Sequence, residues 1–222
     1  MTTLGLVTIG QSPRKDLLQE LKKFISDGVK IKEKGAMDGV DKKEIENFSP
    51  ENEGDTLVTR MRDGSQVILG KKSILPRMQK KIDELNREKV DLIALLCSGK
   101  FPNFDSGAPL IFPERLVRGL LSSISISGKL GLLVPSQQQK EEIAEDKRKI
   151  GFETVTIGIS PYENKAEEIA LAAMKTKKKG ADLILLDCFG YDEEMKDLVF
   201  KETKIPTILV RSLLGRAISE LV

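Results

Sequence analysis

The same stretch occurs twice in this chain, and that repetition limits the fold more than any other feature. Asp91-Leu-Ile-Ala-Leu-Leu-Cys97-Ser-Gly99 aligns without gaps on Asp182-Leu-Ile-Leu-Leu-Asp-Cys188-Phe-Gly190, at a constant offset of 91 positions. Each copy reads as a short apolar strand ending in a cysteine and a glycine, the pattern of a strand covered on both faces. Leu4-Gly-Leu6 and Gln11 correspond in the same way to Leu130-Gly-Leu132 and Gln137, at an offset of 126. The offsets differ by 35, close to the length of an irregular segment in the first half. The pattern is that of a duplicated unit whose first copy carries an insertion.

Between the repeats, apolar runs of strand length alternate with segments of helical period. This predicts an α/β chain of two pseudo-symmetric halves, each a mainly parallel sheet flanked by helices. Strands are expected at Leu4 to Ile9, Asp91 to Cys97, Leu130 to Val134, Thr154 to Ile159, Asp182 to Cys188 and Thr207 to Val210. Ser12 as N-cap with Pro13 in the first turn should start the first helix. Ile74, Leu75, Met78, Ile82 and Leu85 define one face of a helix over Ser73 to Lys89. In the insertion, near residues 35–72, Asp63-Gly64 between Thr56 to Met61 and Gln66 to Leu69 is a β-hairpin signal. The first half-domain is expected at 1–112, joined by a C-terminal helix at 211–222, and the second at 113–210.

Composition then narrows the chemistry. There is no histidine, so no Ser-His-Asp triad, no Cys-His pair and no histidine-rich zinc site can form. Two cysteines cannot build a Cys₄ cluster, and no metal is expected. Proton transfer would have to use Cys, Asp, Glu, Lys or Tyr. Basic and acidic residues, 36 against 34, are closely interspersed, which leaves no footprint for nucleic acid. No apolar run approaches the roughly 18 to 20 residues that span a bilayer, and the start lacks a signal-type segment, so no membrane association and a cytoplasmic location are expected. Gly64 to Lys72 imitates a P-loop but has the wrong interval, and Lys72 stands where Ser or Thr is needed. The basic run Lys175 to Lys179 reads as a solvated helix end.

The only two cysteines occupy the same place in the two copies, at the carboxyl end of a core strand, where open α/β sheets bind ligands. A helix N-terminus after each would stabilise its thiolate and make it a usable base. Inert core packing is the bland alternative, since cysteine is among the most buried residue types. A disulfide is another, disfavoured in a reducing compartment.

Thr8-Ile-Gly10-Gln-Ser-Pro13-Arg14, Thr59-Arg60-Met-Arg-Asp-Gly64, Leu95-Leu-Cys97-Ser-Gly99-Lys-Phe101 and Leu186-Asp-Cys188-Phe-Gly190-Tyr191 resemble the signatures of the AroM family. That family lies within the aspartate/glutamate/hydantoin racemase superfamily, whose two half-domains face each other across a cleft. AroM takes its name from an association with aromatic amino-acid biosynthesis genes, and the resemblance implies fold more than activity. In the racemases one thiolate removes the α-proton and the opposite thiol returns one, without cofactor. By analogy Cys97 and Cys188 are the catalytic pair. Gln11, Ser12, Arg14, Ser98 and Gly99 are candidate donors to a substrate carboxylate, with Gln137 the symmetry-related one. Gly190 and Tyr191 flank the second thiol, Tyr191 either as a substrate contact or in packing. Phe101 and Phe104 either wall a pocket or pin their loop.

The surroundings depart from the usual racemase pattern. Cys97-Ser-Gly replaces Cys-Asn-Thr, and Asp187-Cys-Phe-Gly replaces Gly-Cys-Thr-His, so no histidine follows the second cysteine. Asp187 should point to the sheet face opposite Cys188. Relatives also use such thiols for decarboxylation or cis-trans isomerisation, so the pair does not fix the reaction. The reading is a cofactor-independent racemase or isomerase acting next to the carboxylate of a small acid, with room for a homo-oligomer. The alternative is a non-catalytic small-molecule binding protein of the same fold, tied to aromatic amino-acid metabolism. A third is an interaction module whose cysteines are core.

Overall fold

Apolar strands that must be covered on both faces set the architecture, and helices do the covering. The computed structural model describes residues 2–222, with the side chains of all but Lys42 and Glu53. The chain forms two units, one of residues up to Glu114 together with Leu214–Val222, the other of Arg115–Leu213.

The first unit runs through β1 (Thr3–Thr8), α1 (Lys15–Leu21), β2 (Lys30–Gly35), a 3-10 turn at Lys42–Phe48, β3 (Thr56–Arg60), β4 (Gln66–Gly70), α2 (Lys71–Arg87), β5 (Leu92–Leu95) and β6 (Leu110–Ile111). Its main sheet has the order β2-β1-β5-β6, and every pairing in it is parallel. From Leu4 to Thr8 the central strand β1 is buried, as a parallel strand between two helical layers must be. The α2 face Ile74, Met78, Ile82 and Leu85 is fully buried. It lies so close to β1 that a Cβ on Gly5 would come within 2.8 Å of Leu85 Cδ1.

The second unit contains β7 (Lys129–Val134), α4 (Lys140–Arg148), β8 (Thr154–Gly158), α5 (Ala166–Lys178), β9 (Ala181–Leu186), α6 (Glu193–Thr203) and β10 (Thr207–Leu209). Helix α3 (Pro113–Ser122) leads into it, and α7 (Val210–Ser219) begins in it and ends in the first unit. Its sheet has the order β10-β9-β7-β8, again all parallel. Read from the other edge, that order is the connectivity of the first sheet, with β1 and β7 as the entering central strands and β5 and β9 as the cysteine-bearing ones. Helix α6 starts at Asp192, whose carboxylate accepts the Met195 N–H at 2.8 Å. At the other end of the chain, Leu214 and Ile218 are fully buried and the Arg216 guanidinium lies 5.2 Å from the centre of the Phe24 ring.

Three local expectations are corrected. Ser12 does not cap α1, which starts at Lys15 with Arg14 in the cap position, because the Ser12 hydroxyl donates instead to Asp38 at 2.7 Å. The Ser12–Pro13 peptide is cis. Strand β2, not anticipated, is an edge strand of sequence Lys-Ile-Lys-Glu-Lys-Gly. Its Lys32 and Lys34 reach Glu88 at 2.8 and 2.6 Å, and this pairing lowers the Glu88 pKa to about 2. Charged edges of this kind discourage pairing with another chain but erase the apolar strand signal. Helix α4 begins at Lys140, later than the expected Ser136.

The insertion forms the expected antiparallel hairpin of β3 and β4, with Gly64 at φ +89° in its turn. It is seated on the carboxyl edge of the first sheet. A Cβ on Gly10, just past β1, would lie 2.5 Å from the Arg60 carbonyl oxygen and 2.7 Å from Thr59 Oγ1. A Cβ on Gly99, past β5, would lie 3.0 Å from Leu57 Cδ2. Strand β3 therefore runs from the end of β5 to the end of β1. Gly10→Ala should force the hairpin off its seat and cost about 1–3 kcal/mol, read as a lower urea midpoint. An unchanged midpoint would show that the hairpin yields freely.

Candidate functional site

The residues singled out from sequence gather at the carboxyl ends of the strands, one group in each unit. In the first, β5 delivers Cys97, Ser98 and Gly99, and β1 delivers Gln11, Ser12 and Arg14. In the second, β9 delivers Cys188, Gly190 and Tyr191, and β7 delivers Gln137.

The two thiols share one local geometry. The Gly99 N–H donates to Cys97 Sγ at 3.4 Å, and the Gly190 N–H donates to Cys188 Sγ at 3.4 Å. Such a donor is strengthened by any negative charge on the sulfur. Neither cysteine is in a disulfide, and Cys97 is half-buried whereas Cys188 is 5% exposed. The expected helix N-terminus after each thiol is corrected. Beyond Cys97 the chain runs without helix to β6, and beyond Cys188 the first turn of α6 is capped by Asp192. The backbone N–H of the following glycine takes that place.

Close approach requires glycine at position 190. At Gly190 a Cβ would fall 2.4 Å from Pro161 Cγ and 2.6 Å from Tyr162 Cζ. Tyr191 is fully buried and donates its hydroxyl to the Ile159 carbonyl at 2.7 Å, the arrangement of a packing residue. Burial, with Cys188 and Asp187 alongside, pushes the Tyr191 phenol well above its ordinary pKa.

The polar residues after β1 are committed to protein partners. Gln11 donates from Nε2 to the Val40 carbonyl at 3.0 Å and accepts the Arg62 N–H on Oε1 at 3.1 Å. Asp38, just past β2, accepts the Ser12 N–H at 2.8 Å, the Ser12 hydroxyl at 2.7 Å and the Gly35 N–H at 2.7 Å. Arg14 is buried, and its Nε and Nη2 reach both oxygens of Asp16 at 2.9 and 2.7 Å. Its N–H donates to Glu33, whose carboxyl burial holds above the usual range. The expectation that Ser12 and Arg14 hold a substrate carboxylate therefore meets side chains already occupied by acids of the first unit. Gln137 is exposed and donates to the Gly158 carbonyl at 2.7 Å.

Phe101 packs in the core with its ring 6.1 Å from Phe104, which stacks on Phe112 at 6.2 Å. Gln79 of α2 exchanges two hydrogen bonds with Asp105, at 2.8 and 3.0 Å. These aromatics pin the loop after Cys97.

Sequence reading missed several groups near the thiols. Lys147 of α4 is buried with Asp187, 3.6 Å apart, and also lies 3.6 Å from Asp146, which Arg118 meets at 2.6 Å. Asp187 thus faces α4, whereas Cys188 belongs to the core formed with Ile169 of α5 and Met195 of α6. Buried Arg211, at the start of α7, donates from Nε to the Phe189 carbonyl at 3.0 Å and fixes the residue after Cys188. Arg62 and Asp38 were likewise unassigned, although Arg62 stands inside a quoted motif. Among the described residues no cluster of Cys, Asp or Glu could hold a metal ion, and no helix is long and apolar enough to cross a membrane.

Comparison with known proteins completes the picture. A family model described as AroM protein matches residues 4–222. No curated protein matches. The fold is similar to that of the Picrophilus torridus aspartate racemase, at 15% identity and TM-score 0.62, over 100% of this chain and 94% of the racemase. It is similar to unliganded arylmalonate decarboxylase at 11% identity and TM-score 0.63, over 100% of this chain and 92% of that one. It is also similar to a maleate isomerase from Pseudomonas putida, at 12% identity and TM-score 0.64, over 99% of this chain and 92% of the isomerase.

The burial of Tyr191 has a measurable sign. Above about pH 10 the unfolded chain loses a phenolic proton that the folded chain keeps, so this residue's contribution to stability falls as pH rises. In an absorbance titration of the native protein, one of the two tyrosines should ionise and the other only on unfolding. Tyr191→Phe should show a shallower alkaline loss of urea midpoint. Ionisation of both tyrosines in the native protein would contradict the assignment.

Proposed function

The chain belongs to the AroM family, and from that membership, its racemase-like fold and the matched settings of its thiols we propose a cofactor-independent racemase or isomerase that acts next to the carboxylate of a small acid. The observation that carries the reading is the pair of equivalent thiols. Each follows the equivalent strand, β5 or β9, and each accepts the N–H of the glycine two residues on at 3.4 Å.

In this reading one of Cys97 and Cys188 acts as thiolate and removes the proton from the carbon beside the carboxylate. The electron pair left behind spreads into the carboxylate as an enediolate, and the other cysteine, as thiol, returns a proton to carbon. One proton leaves and one arrives, and the two sulfurs exchange protonation states, so no oxidant or cofactor is needed. General acid and base groups of this kind contribute about 10² to 10⁴ in rate. Charge developing on the carboxylate needs donors aimed at it. Ser98 after β5 and Gln137 after β7 are the proposed ones, Gln137 through the second amide hydrogen beside the one it gives to the Gly158 carbonyl. The aspartate racemase, the decarboxylase and the isomerase similar in fold each carry a carboxylate-bearing compound in their names, which supports the substrate class and leaves the reaction to experiment.

A second reading, a binding protein without turnover, is favoured by the burial of Cys188, only 5% exposed. Incubation in D₂O with a panel of amino, hydroxy and dicarboxylic acids, followed by NMR, distinguishes the two. Loss of an α-proton signal from one acid is expected, reduced by about 10² or more in Cys97→Ser and in Cys188→Ser. Exchange that persists in both variants would end the thiol mechanism. A ligand-dependent rise in Tm with no exchange would establish the binding protein instead.

A further inference from the structure

We propose that β8 is a dimerisation edge, along which two copies of this chain pair antiparallel about Thr156 and join their second sheets into one. Strand β8 is the outer strand of that sheet, and among the described residues it pairs only with β7. The ladder between them is fixed at both ends, by the Leu130 N–H on the Glu153 carbonyl and the Ile159 N–H on the Val134 carbonyl, each at 2.8 Å. Backbone groups alternate in direction along a parallel pair, so those of Val155 and Ile157 face β7 and those of Thr154, Thr156 and Gly158 face away. Among the described residues nothing meets the N–H or the carbonyl of Thr154 or Thr156. The Gly158 carbonyl takes Gln137 Nε2 at 2.7 Å, and its N–H is left over. All of β8 is partly exposed, whereas β7 beside it is buried from Leu130 to Val134. Donors and acceptors set out at strand spacing are completed by another strand.

The other edges of the two main sheets are protected. Strand β2 carries Lys30, Lys32, Glu33 and Lys34, β6 is two residues long, and β10 is three residues long and runs straight into α7. Strand β8 is five residues, Thr-Val-Thr-Ile-Gly, with neither charge nor proline. Charge, proline and shortness are the means by which an edge is kept from pairing, and β8 uses none of them.

The strand's own sequence selects a second copy as the occupant. A two-fold axis at Thr156 sets Thr156 opposite Thr156, Val155 opposite Ile157 and Thr154 opposite Gly158. The outward-facing residues of the two copies then exchange N–H···O bonds, the Gly158 carbonyl through its second lone pair. Val155 and Ile157 meet on one face. On the other the two Thr156 hydroxyls come side by side, and Thr156 Oγ1 is buried without a hydrogen-bond partner in the single chain. The nearest charge, Glu153, falls opposite Ile159, which keeps the two Glu153 about 20 Å apart. No like charges face each other, and the interface is the self-complementary kind that closes as a dimer. The assignment holds whether or not the thiols turn over substrate.

Sedimentation velocity of the full chain over a concentration series, with backbone amide exchange followed by NMR at both ends of the series, tests it. A concentration-dependent dimer is expected, in which the Thr154 and Thr156 N–H groups exchange at least about tenfold more slowly than in the monomer. Thr156→Pro removes an N–H that nothing in the chain uses, at an edge position where proline is tolerated. It should fold and weaken the dimer by about tenfold or more. The exchange measurement needs no variant, so the test stands even where Thr156→Pro fails to fold. A chain that stays monomeric throughout the series would overturn the proposal and leave the edge to a strand of a different protein. A dimer whose two amides exchange as fast as in the monomer, or one that folded Thr156→Pro keeps in full, would put the interface elsewhere and overturn it as well. Failure to exchange α-protons in D₂O bears on the thiols alone.

Discussion

The hydrogen bonds that β1 and β7 each make to parallel strands on both sides are what the remaining structure answers to. A central parallel strand has no solvent face, so helices must cover it above and below, and each return to the sheet needs a crossover. The crossovers bring the ends of β1 and β5, and of β7 and β9, to one edge of their sheets. That arrangement puts a cysteine from a core strand beside a polar turn from its neighbour in each unit. It also leaves little room at the edge, which is why glycine stands at positions 10 and 190, with backbone or side chains where a Cβ would go.

The polar groups at that edge are held by charge more than by apolar contact. Asp38 gathers three donors from two strand ends, and hydrogen bonds to a charged group are worth about 1.5–3 kcal/mol each. Lys147 and Asp187 are buried together behind Cys188. Removing both charges for apolar groups of similar shape is often harmless, but removing one strands the other at a cost of about 3–5 kcal/mol. The turn carrying Cys188 is thus tied on one side by that pair and on the other by Arg211 on the Phe189 carbonyl. A thiol in such a setting has a defined direction and little freedom to adopt another.

How far this was legible in the sequence depended on whether the deciding contact was local. The repeated strands β5 and β9 were readable because burial on both faces leaves an unbroken apolar run, and the hairpin because Asp63-Gly64 fits its turn. Strand β2 was not, since an edge strand of Lys30, Lys32, Glu33 and Lys34 around a single Ile31 carries no apolar pattern. Nor was β6, two residues long within a loop. At the candidate site the cysteines stood out through their equivalent positions. The fate of Ser12 was hidden, because its partner Asp38 is 26 residues away and no spacing announces such a pairing. Tyr191 stayed open between two readings for the same reason: a hydroxyl beside a cysteine suits a substrate contact as well as packing, and its partner, the Ile159 carbonyl, is brought close only by the fold.

Helix α7 begins among residues of the second unit and ends among those of the first, where Leu214 and Ile218 are buried and Arg216 lies over Phe24. During synthesis the first unit is therefore an incomplete body until residues 214–222 have left the ribosome, by which time residues 115–213 have already emerged. The usual order, in which the amino-terminal part folds first, is inverted for completion. The first unit must wait with the Phe24 face of its core uncovered, and a ribosome that stops short of Leu214 releases a chain whose first half has never been closed.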